Sequence, residues 1–247
     1  MSALKGLIIA AGRGERISNL CPLKPLLEVN GRCLIDRSID SLAKAGIKDM
    51  VVVTGFRGEQ LERHLAERSY PAGVRVNWVR NEDWQKENGL SVYRARELVG
   101  NRFILLMSDH IFDPEILVSL RQQTIEEGGL ILAVDYRINQ HPYVDLDDVT
   151  RVELRGDRIV NIGKGLTVYQ AFDTGIFYGT ESLFEALKES QEKAKNFTLS
   201  GGVRVLAARG KARVMDIGNR FWIDVDDEKA FHQAEDYLQT RGDLLKI

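Results

Sequence analysis

Short apolar runs rich in β-branched residues alternate, in the first half of the chain, with segments whose apolar residues follow helical spacing. Strands are predicted from Leu7 onward and at residues 50–54, 74–79, 103–107 and 130–135, and helices at 33–45, 58–68, 91–98 and 114–123. Such alternation is typical of a doubly wound sheet, whose ligands bind at the carboxyl ends of the strands. We therefore predict an α/β fold with a mostly parallel central sheet and helices on both faces.

The second half of the chain departs from this alternation. Residues 136–148 are irregular and polar, which is typical of a lid or a ligand-binding loop. Residues 149–154 and 158–162 alternate around Gly156 and Asp157 and predict a small β-hairpin extension. Further strands are predicted at 171–178 and 212–216, and helices at 181–190, at 199–208 and up to about residue 237.

A glycine-rich loop follows the first strand. Gly12 and Gly14 allow a tight bend and a close approach of the backbone to a ligand. Successive N–H groups in such a loop can bind an anion. Arg13, Arg16 and Lys24 bring three cations to the same region. This combination predicts a triphosphate site.

Two other phosphate-binding loops do not fit the spacing. The dinucleotide fingerprint requires a third glycine where this chain has Ile17, and an acidic residue after the second strand, which ends at Thr54 and Gly55. The Gly-Lys-Ser/Thr sequence of the ATPase loop is absent. A glycine pair alone is often only a tight turn, so the prediction depends on Arg16 and Lys24.

Bulk composition limits the partners and the compartment. The chain has 247 residues, 44% hydrophobic content and a formal charge of −2, which predicts one large domain without general affinity for nucleic acid. Neither a signal peptide nor a run long enough to span a membrane is visible. Cys21 and Cys33 show no metal-ligand spacing or disulfide framework, which favours a reducing cytoplasm. No sequence feature specifies the oligomeric state, and a homodimer is one possibility.

The segment from Ala10 through Ala11, Gly12, Arg13 and Gly14 to Arg16, together with Lys24-Pro25, resembles the signature of the sugar-phosphate nucleotidylyltransferase superfamily. The resemblance implies a single Rossmann-like nucleotidyltransferase domain over residues 1–247. Its nucleotide-binding half would end near residue 135, and its acceptor-binding half would follow. Members transfer a nucleotide from a nucleoside triphosphate to a phosphorylated acceptor and release pyrophosphate.

The polar segment at residues 80–91 has two interpretations. Taken alone, it predicts a solvated turn with Ser91 capping the next helix. In the superfamily, the matching region lies against the nucleobase. The resemblance therefore implies that Asn88, Gly89 and Ser91 bind the base.

Two acidic segments are candidates for a metal site. Asp109 follows an apolar strand, and Asp224 and Asp226 lie in a Trp-Ile-Asp-Val-Asp sequence. Helix capping is the ordinary interpretation of each segment. The resemblance implies Mg²⁺ bound by Asp109 and by Asp224 or Asp226, with Asp224 slightly favoured. His110 is more readily interpreted as a structural histidine.

The resemblance also implies roles for the polar residues of the second half. Lys164, between two glycines, would bind the acceptor phosphate, although a solvated turn lysine is the ordinary interpretation. Asp173 and Thr174 would contact the acceptor hydroxyls, or only form a turn. The loop residues Ala10 to Gly14 would bind the nucleotide, with Arg13, Arg16 and the loop amides holding the leaving pyrophosphate. Lys24 would stabilise charge at the α-phosphate.

Within the superfamily, residues 107–112, 162–166 and 172–177 resemble the inositol-1-phosphate cytidylyltransferases most closely. That resemblance implies CTP and inositol-1-phosphate as substrates and CDP-inositol as product, as a step toward di-myo-inositol phosphate. Some members carry a fused membrane phosphatidyltransferase, and this chain is expected to be the stand-alone cytidylyltransferase.

Other functions remain open at this point. A phosphocholine or aminoethylphosphonate cytidylyltransferase would require an aromatic or acidic box, to which Tyr143, Tyr169 and Trp222 could contribute. A sugar-1-phosphate nucleotidylyltransferase is a second alternative. A glycosyltransferase would carry Asp-x-Asp where this chain has Ser108-Asp109-His110. A nucleotide sensor would not need both lysines and both acidic segments.

Overall fold

The computed structural model describes residues 4–139 and 141–242. Its strands are β1 (Lys5–Ala10), β2 (Glu28–Val29), β3 (Arg32–Cys33), β4 (Asp49–Thr54), β5 (Arg75–Arg80), β6 (Arg102–Met107), β7 (His110–Phe112), β8 (Leu130–Asp135), β9 (Arg151–Arg155), β10 (Arg158–Gly163), β11 (Ala171–Thr180), β12 (Ala212–Asp216) and β13 (Trp222–Asp224). Its helices are α1 (Leu34–Lys44), α2 (Gly58–Glu67), α3 (Asn88–Arg94), α4 (Arg96–Val99), α5 (Glu115–Arg121), α6 (Ser182–Ala194), α7 (Leu199–Ala208) and α8 (Glu228–Arg241).

Within the described residues, nine strands form one mixed sheet in the order β5-β4-β1-β6-β11-β8-β12-β10-β9. Strands β5, β4, β1 and β6 are parallel, as the alternation predicted. Strand β11 runs antiparallel to both of its neighbours, β6 and β8. In the second half, β12 pairs parallel with β8 and the remaining pairings are antiparallel, so the sheet is parallel in its first half and mixed overall.

The predicted hairpin forms, but it belongs to the main sheet instead of being a separate extension. Strands β9 and β10 pair around Gly156, whose φ of 62° suits a tight turn. Strand β10 also pairs with β12, and β9 pairs with β11. These pairings close β11, β8, β12, β10 and β9 into a ring.

Helices cover both faces of the sheet, as predicted. Along β1, Ile8 packs into a core with α1, α2 and α5, whereas Leu7 and Ile9 pack on the opposite face with α3, α6 and α7. Alternate side chains of a strand point to opposite faces, so one apolar run serves both cores. The hydrophobic run at β1 therefore indicates a strand buried on both sides.

A two-stranded sheet lies beyond the carboxyl end of β6. Strands β7 and β13 pair antiparallel, with His110 opposite Asp224. The Val225 N–H also donates to the Asp109 carbonyl at 3.0 Å. This pairing joins the two acidic segments that the sequence singled out. None of the helices in the described part of the chain is long and apolar enough to cross a membrane.

Candidate active site

The glycine-rich loop leaves β1 at Ala10 and folds back over Lys24. Gly14 has a left-handed backbone with φ 64°, which favours glycine. A Cβ atom at Gly14 would come within 2.6 Å of the Lys24 side chain. Both conditions exclude a larger residue at Gly14, and the loop is therefore shaped around Lys24.

Lys24 is buried in a cluster of carboxylates. Its side chain is 6% exposed, and its Nζ lies 2.7 Å from Asp109 Oδ2 and 3.7 Å from Asp224 Oδ1. It also forms an ion pair with Asp226. Burial opposes the charge of Lys24, but the three carboxylates outweigh burial and raise its pKa. Lys24 therefore stays protonated, and the acidic cluster carries an internal counter-cation.

Asp224 has an unsatisfied oxygen in this cluster. Its Oδ1 is inaccessible to solvent and accepts no hydrogen bond from the described residues. Burial and the neighbouring carboxylates Asp109 and Asp226 raise the pKa of Asp224 to about 7, against the opposing charges of His110 and Lys24. Ligand atoms of Asp109, His110 and Asp224 all lie within 4.8 Å of one another. A buried carboxylate oxygen without a donor is suited to a cation.

His110 connects the cluster to the core. Its Nδ1 lies 2.9 Å from Asp109 Oδ1, and its ring stacks on Trp222 at 6.3 Å between centroids. Burial lowers the pKa of the imidazole, but Asp224 and Asp109 outweigh burial and raise it to about 9. Burial raises the pKa of Asp109, but the Lys24 ammonium and the His110 imidazole outweigh burial and hold it well below its usual range.

Two cavities meet at these carboxylates. The loop cavity, of about 240 Å³, lies beside the glycine-rich loop, and the large cavity, of about 430 Å³, lies on the side of residues 142–150. Asn88, Met107, Asp109 and Asp226 line both. The arrangement offers two adjoining ligand sites that share one acidic wall.

Most residues predicted to bind the nucleotide line the loop cavity. They are Ala10, Gly12, Gly14, Lys24, Asn88, Ser91 and Asp109. Among the described lining residues of the two cavities, Ala11, Arg13 and Gly89 are absent. Arg13 pairs with Glu15, and its guanidinium lies over the Phe56 ring. The Ala11 carbonyl accepts the N–H of Phe56 at 3.0 Å.

The segment predicted to bind the base is helical earlier than expected. Helix α3 begins at Asn88, so Ser91 lies inside the helix, and the predicted Ser91 cap is wrong. The Ser91 hydroxyl accepts a hydrogen bond from Asn81 Nδ2 at 3.0 Å. The Asn88 Oδ1 accepts the N–H of Leu199, the first residue of α7, at 2.9 Å. These bonds fix α3 beside the cavity.

Gly89 lies on the buried side of α3. A Cβ atom there would come within 2.2 Å of the Phe197 carbonyl oxygen. This close approach of two backbones leaves no room for a side chain, so position 89 requires glycine. Gly89 faces Phe197 and does not line the loop cavity. The implied contact with the base is therefore not supported for this residue.

Two of the three predicted acceptor residues, Lys164 and Asp173, line the large cavity. Arg16, predicted to hold the pyrophosphate, and the candidate metal ligands Asp224 and Asp226 line it as well. Thr174 is fully buried, and its hydroxyl donates to the Ala133 carbonyl at 2.8 Å. The implied ligand contact of Thr174 is thus wrong, because the side chain points into the sheet and crosslinks β11 to β8.

Asp173 faces the cavity with its carboxylate. Its Oδ1 accepts the Gly175 N–H at 2.8 Å, and burial raises its pKa to about 6 against that bond and the nearby His110. Gly175 has φ 72°, and a Cβ atom there would approach His110 Nε2 to 2.8 Å. The glycine therefore lets Asp173 and His110 share one wall of the cavity.

A family model for the MobA-like NTP transferase domain matches residues 6–200. The chain belongs to this family. The protein is accordingly a nucleotidyltransferase.

Relatives of this nucleotidyltransferase match nearly its whole length. Proteins from Rubrobacter xylanophilus and Aquifex aeolicus, both named bifunctional IPC transferase and DIPP synthase, are each 35% identical over 94% of the chain. The chain spans about half the length (51%) of these curated relatives. A solved structure titled inositol-1-phosphate CTP transferase from T. maritima matches with a TM-score of 0.80 and 25% identity over 97% of this chain and 98% of that one.

Several residues of the nucleotidyltransferase site carried no recognisable signal in the sequence. Trp84 and Lys86 line the loop cavity, and Trp84 packs on Phe56 at 5.1 Å between ring centroids. Asp148, in the irregular segment, lines the large cavity. An aromatic or charged residue in a polar stretch is ordinary, so only the fold identifies these three.

Proposed function

We propose that this nucleotidyltransferase transfers CMP from CTP to inositol-1-phosphate, giving CDP-inositol and pyrophosphate. The observation that carries the proposal is the pair of adjoining cavities with a shared acidic wall, one beside the glycine loop and one beside Lys164. The IPC transferase relatives and the inositol-1-phosphate CTP transferase structure support this choice of substrates.

The reaction requires little covalent chemistry from the protein. An oxygen of the acceptor phosphate attacks the α-phosphorus of CTP, and the bond to pyrophosphate breaks. Such a transfer depends on alignment and on neutralising the developing charge. The loop N–H groups and Arg16 bind the departing pyrophosphate, Lys24 lies beside the α-phosphate, and Lys164 aligns the acceptor phosphate.

A divalent cation fits the acidic wall. The Asp224 Oδ1, which accepts no hydrogen bond from the described residues, and the neighbouring Asp109 carboxylate are hard oxygen ligands, which suit Mg²⁺. When bound, Mg²⁺ supplies charge that neutralises the triphosphate. Asp226 is the weaker candidate ligand, because it already pairs with Lys24 and Arg16.

We expect Asp224→Asn to raise the Mg²⁺ concentration for half-maximal pyrophosphate release by tenfold or more, because an amide oxygen replaces a carboxylate ligand. Metal titrations of wild type and variant measure this shift. Asp227→Asn is the matched control, since Asp227 caps α8 with its side chain. An unchanged Mg²⁺ requirement in Asp224→Asn would show that Asp224 is not a metal ligand.

The wall of the large cavity favours a hydroxyl-rich acceptor over a cationic one. Trp222 is covered by the His110 and His141 rings, and its indole N–H donates to Asp135 at 2.7 Å. Because its ring is already covered by protein, Trp222 cannot enclose a quaternary ammonium. The Asp173 carboxylate can accept hydrogen bonds from hydroxyl groups, and this supports a polyol acceptor.

Lys164 is proposed to bind the acceptor phosphate, so we expect Lys164→Met to raise the KM for the acceptor by about tenfold to a hundredfold. The KM for CTP should change much less. Steady-state pyrophosphate release with each substrate varied in turn measures both constants. Lys188→Met, on the exposed face of α6, is the control. An equal rise of both KM values would contradict a specific acceptor role.

The proposal is tested by pyrophosphate release with Mg²⁺, crossing CTP, UTP, GTP and ATP with inositol-1-phosphate, phosphocholine and glucose-1-phosphate. Release with CTP and inositol-1-phosphate alone is expected. Release with phosphocholine would retain the mechanism and change the acceptor. Release from none of the pairs would refute the proposed function.

A further inference from the structure

Asp148 joins two cations from opposite sides of the large cavity. Its Oδ2 accepts a hydrogen bond from Arg16 Nη2 at 2.7 Å, and its Oδ1 is ion-paired with Lys164. Arg16 belongs to the turn after the glycine loop, whereas Lys164 follows β10. We name this three-residue contact the Asp148 bridge. One carboxylate thus spans the space between two groups that are both proposed to bind phosphate.

The bridge presents its two oxygens as a phosphate would. Each oxygen binds one cation, in the geometry that Arg and Lys also use for phosphate oxygens. Burial raises the pKa of Asp148, but Lys164 and Arg16 outweigh burial and lower it, so the carboxylate is ionised at neutral pH. Asp148 is therefore an anion of the correct charge sign at the position where an acceptor phosphate must meet Lys164.

The bridge can exchange with a ligand without unfolding. Side-chain exposure is 30% for Asp148, 49% for Arg16 and 59% for Lys164. Ion pairs exposed to this extent contribute little and exchange with other ions. The backbone beside Asp148 is anchored: the Val149 N–H bonds to Asp145 and the Thr150 carbonyl to Asp173, each at 2.9 Å. Rotation of the Asp148 side chain is sufficient to free Lys164 and to leave Arg16, among the described residues, with only its ion pair to Asp226.

We propose that Asp148 is an internal competitor of the acceptor phosphate, which holds Arg16 and Lys164 in the free protein and is displaced when a phosphate monoester binds. The inference rests on the proposed function for the identity of the acceptor. It adds a residue that sets acceptor affinity without contacting the reacting atoms. Asp148 is in this sense a positioning residue whose loss strengthens binding.

The test is phosphate binding by Asp148→Asn, which removes the charge and keeps the shape. We expect inorganic phosphate to bind the variant about threefold to tenfold more tightly than wild type in calorimetry without metal or nucleotide. The KM for inositol-1-phosphate should fall by a similar factor, with kcat changed less than twofold. Asp147→Asn is the matched control, because Asp147 forms no ion pair with the described residues.

A second comparison separates competition from a general change in charge. In the Lys164→Met background, Asp148→Asn should increase phosphate affinity by less than twofold. One of the two cations for which Asp148 and phosphate compete is then missing. Unchanged or weaker phosphate binding by the single variant would overturn the proposal and make Asp148 a support that orients Lys164. The binding assay contains no CTP, so it does not depend on the proposed transfer reaction. If the proposed function is wrong, wild type binds phosphate in this assay but releases no pyrophosphate in the activity assay.

Discussion

Lys24→Met is expected to lower kcat for pyrophosphate release by about a hundredfold to a thousandfold, the cost of removing one preorganised charge from a transition state. Methionine keeps the length and apolar stem of lysine but not its ammonium. In the structure, that ammonium lies against Asp109 and Asp226, at the wall shared by both cavities. A rate within fivefold of wild type would exclude Lys24 from the transfer.

The same variant should also change the response of the protein to divalent cations. Removing Lys24 takes away the buried ammonium that pairs with Asp109, Asp224 and Asp226, and breaking such a pair costs about 3–5 kcal/mol. Thermal unfolding in chelator should therefore occur at lower temperature, and Mg²⁺ should stabilise Lys24→Met more than wild type. Lys188→Met serves as the exposed control. Equal stabilisation of wild type and Lys24→Met by Mg²⁺ would place the cation away from this cluster.

The sequence predicted local structure well where one pattern had one physical cause. The apolar run of β1, followed by Gly12 and Gly14, specifies a buried strand and a bend regardless of the remaining chain. The helical spacing at α1 similarly required only a buried face. Strand order and direction in the second half depend on pairings such as β9 with β11, for which short-range patterns contain no information.

In the candidate site, too, the sequence predicted the position of single residues along strands but not how distant segments meet. Asp109 and Asp224 each follow or end a strand, which places them at a sheet edge, but their convergence requires the β7–β13 pairing. Thr174 and Gly89 have the residue types expected of a binding site, and both serve the packing of backbone and sheet. Asp148 gave no signal, because only the fold brings an acid from an irregular segment between two distant cations.

Asp135 ends β8 in a network that supports the wall of the site. It is fully buried and accepts hydrogen bonds from Trp222 Nε1 at 2.7 Å and from Arg137 Nη2 at 2.6 Å. His141 Nε2 lies 3.0 Å from its Oδ2. These contacts connect the start of the irregular segment to β13, which carries Asp224. Asp135 thereby holds two parts of the large cavity in place.

We expect Asp135→Asn to destabilise the protein by about 2–4 kcal/mol, because an amide cannot accept from all these donors and leaves buried groups unsatisfied. For a chain of this size, that loss corresponds to a melting temperature lower by roughly 5–15 °C. Urea unfolding at pH 7 measures the difference. The matched control is Asp157→Asn, an exposed carboxylate in the hairpin turn, which should change stability by less than about 0.5 kcal/mol.

The effect of Asp135→Asn should depend on pH in a defined direction. Burial raises the pKa of Asp135, but hydrogen bonds from His141, Arg137 and Trp222 outweigh burial and hold it well below its usual range. A carboxylate with a lowered folded-state pKa contributes its stability above the unfolded value of about 3.9 and loses it as the pH falls further. The wild-type advantage over Asp135→Asn should thus be full at pH 7 and pH 5 and smaller at pH 3. An advantage that is constant between pH 7 and pH 3 would mean that packing, and not the ionised carboxylate, holds the network together.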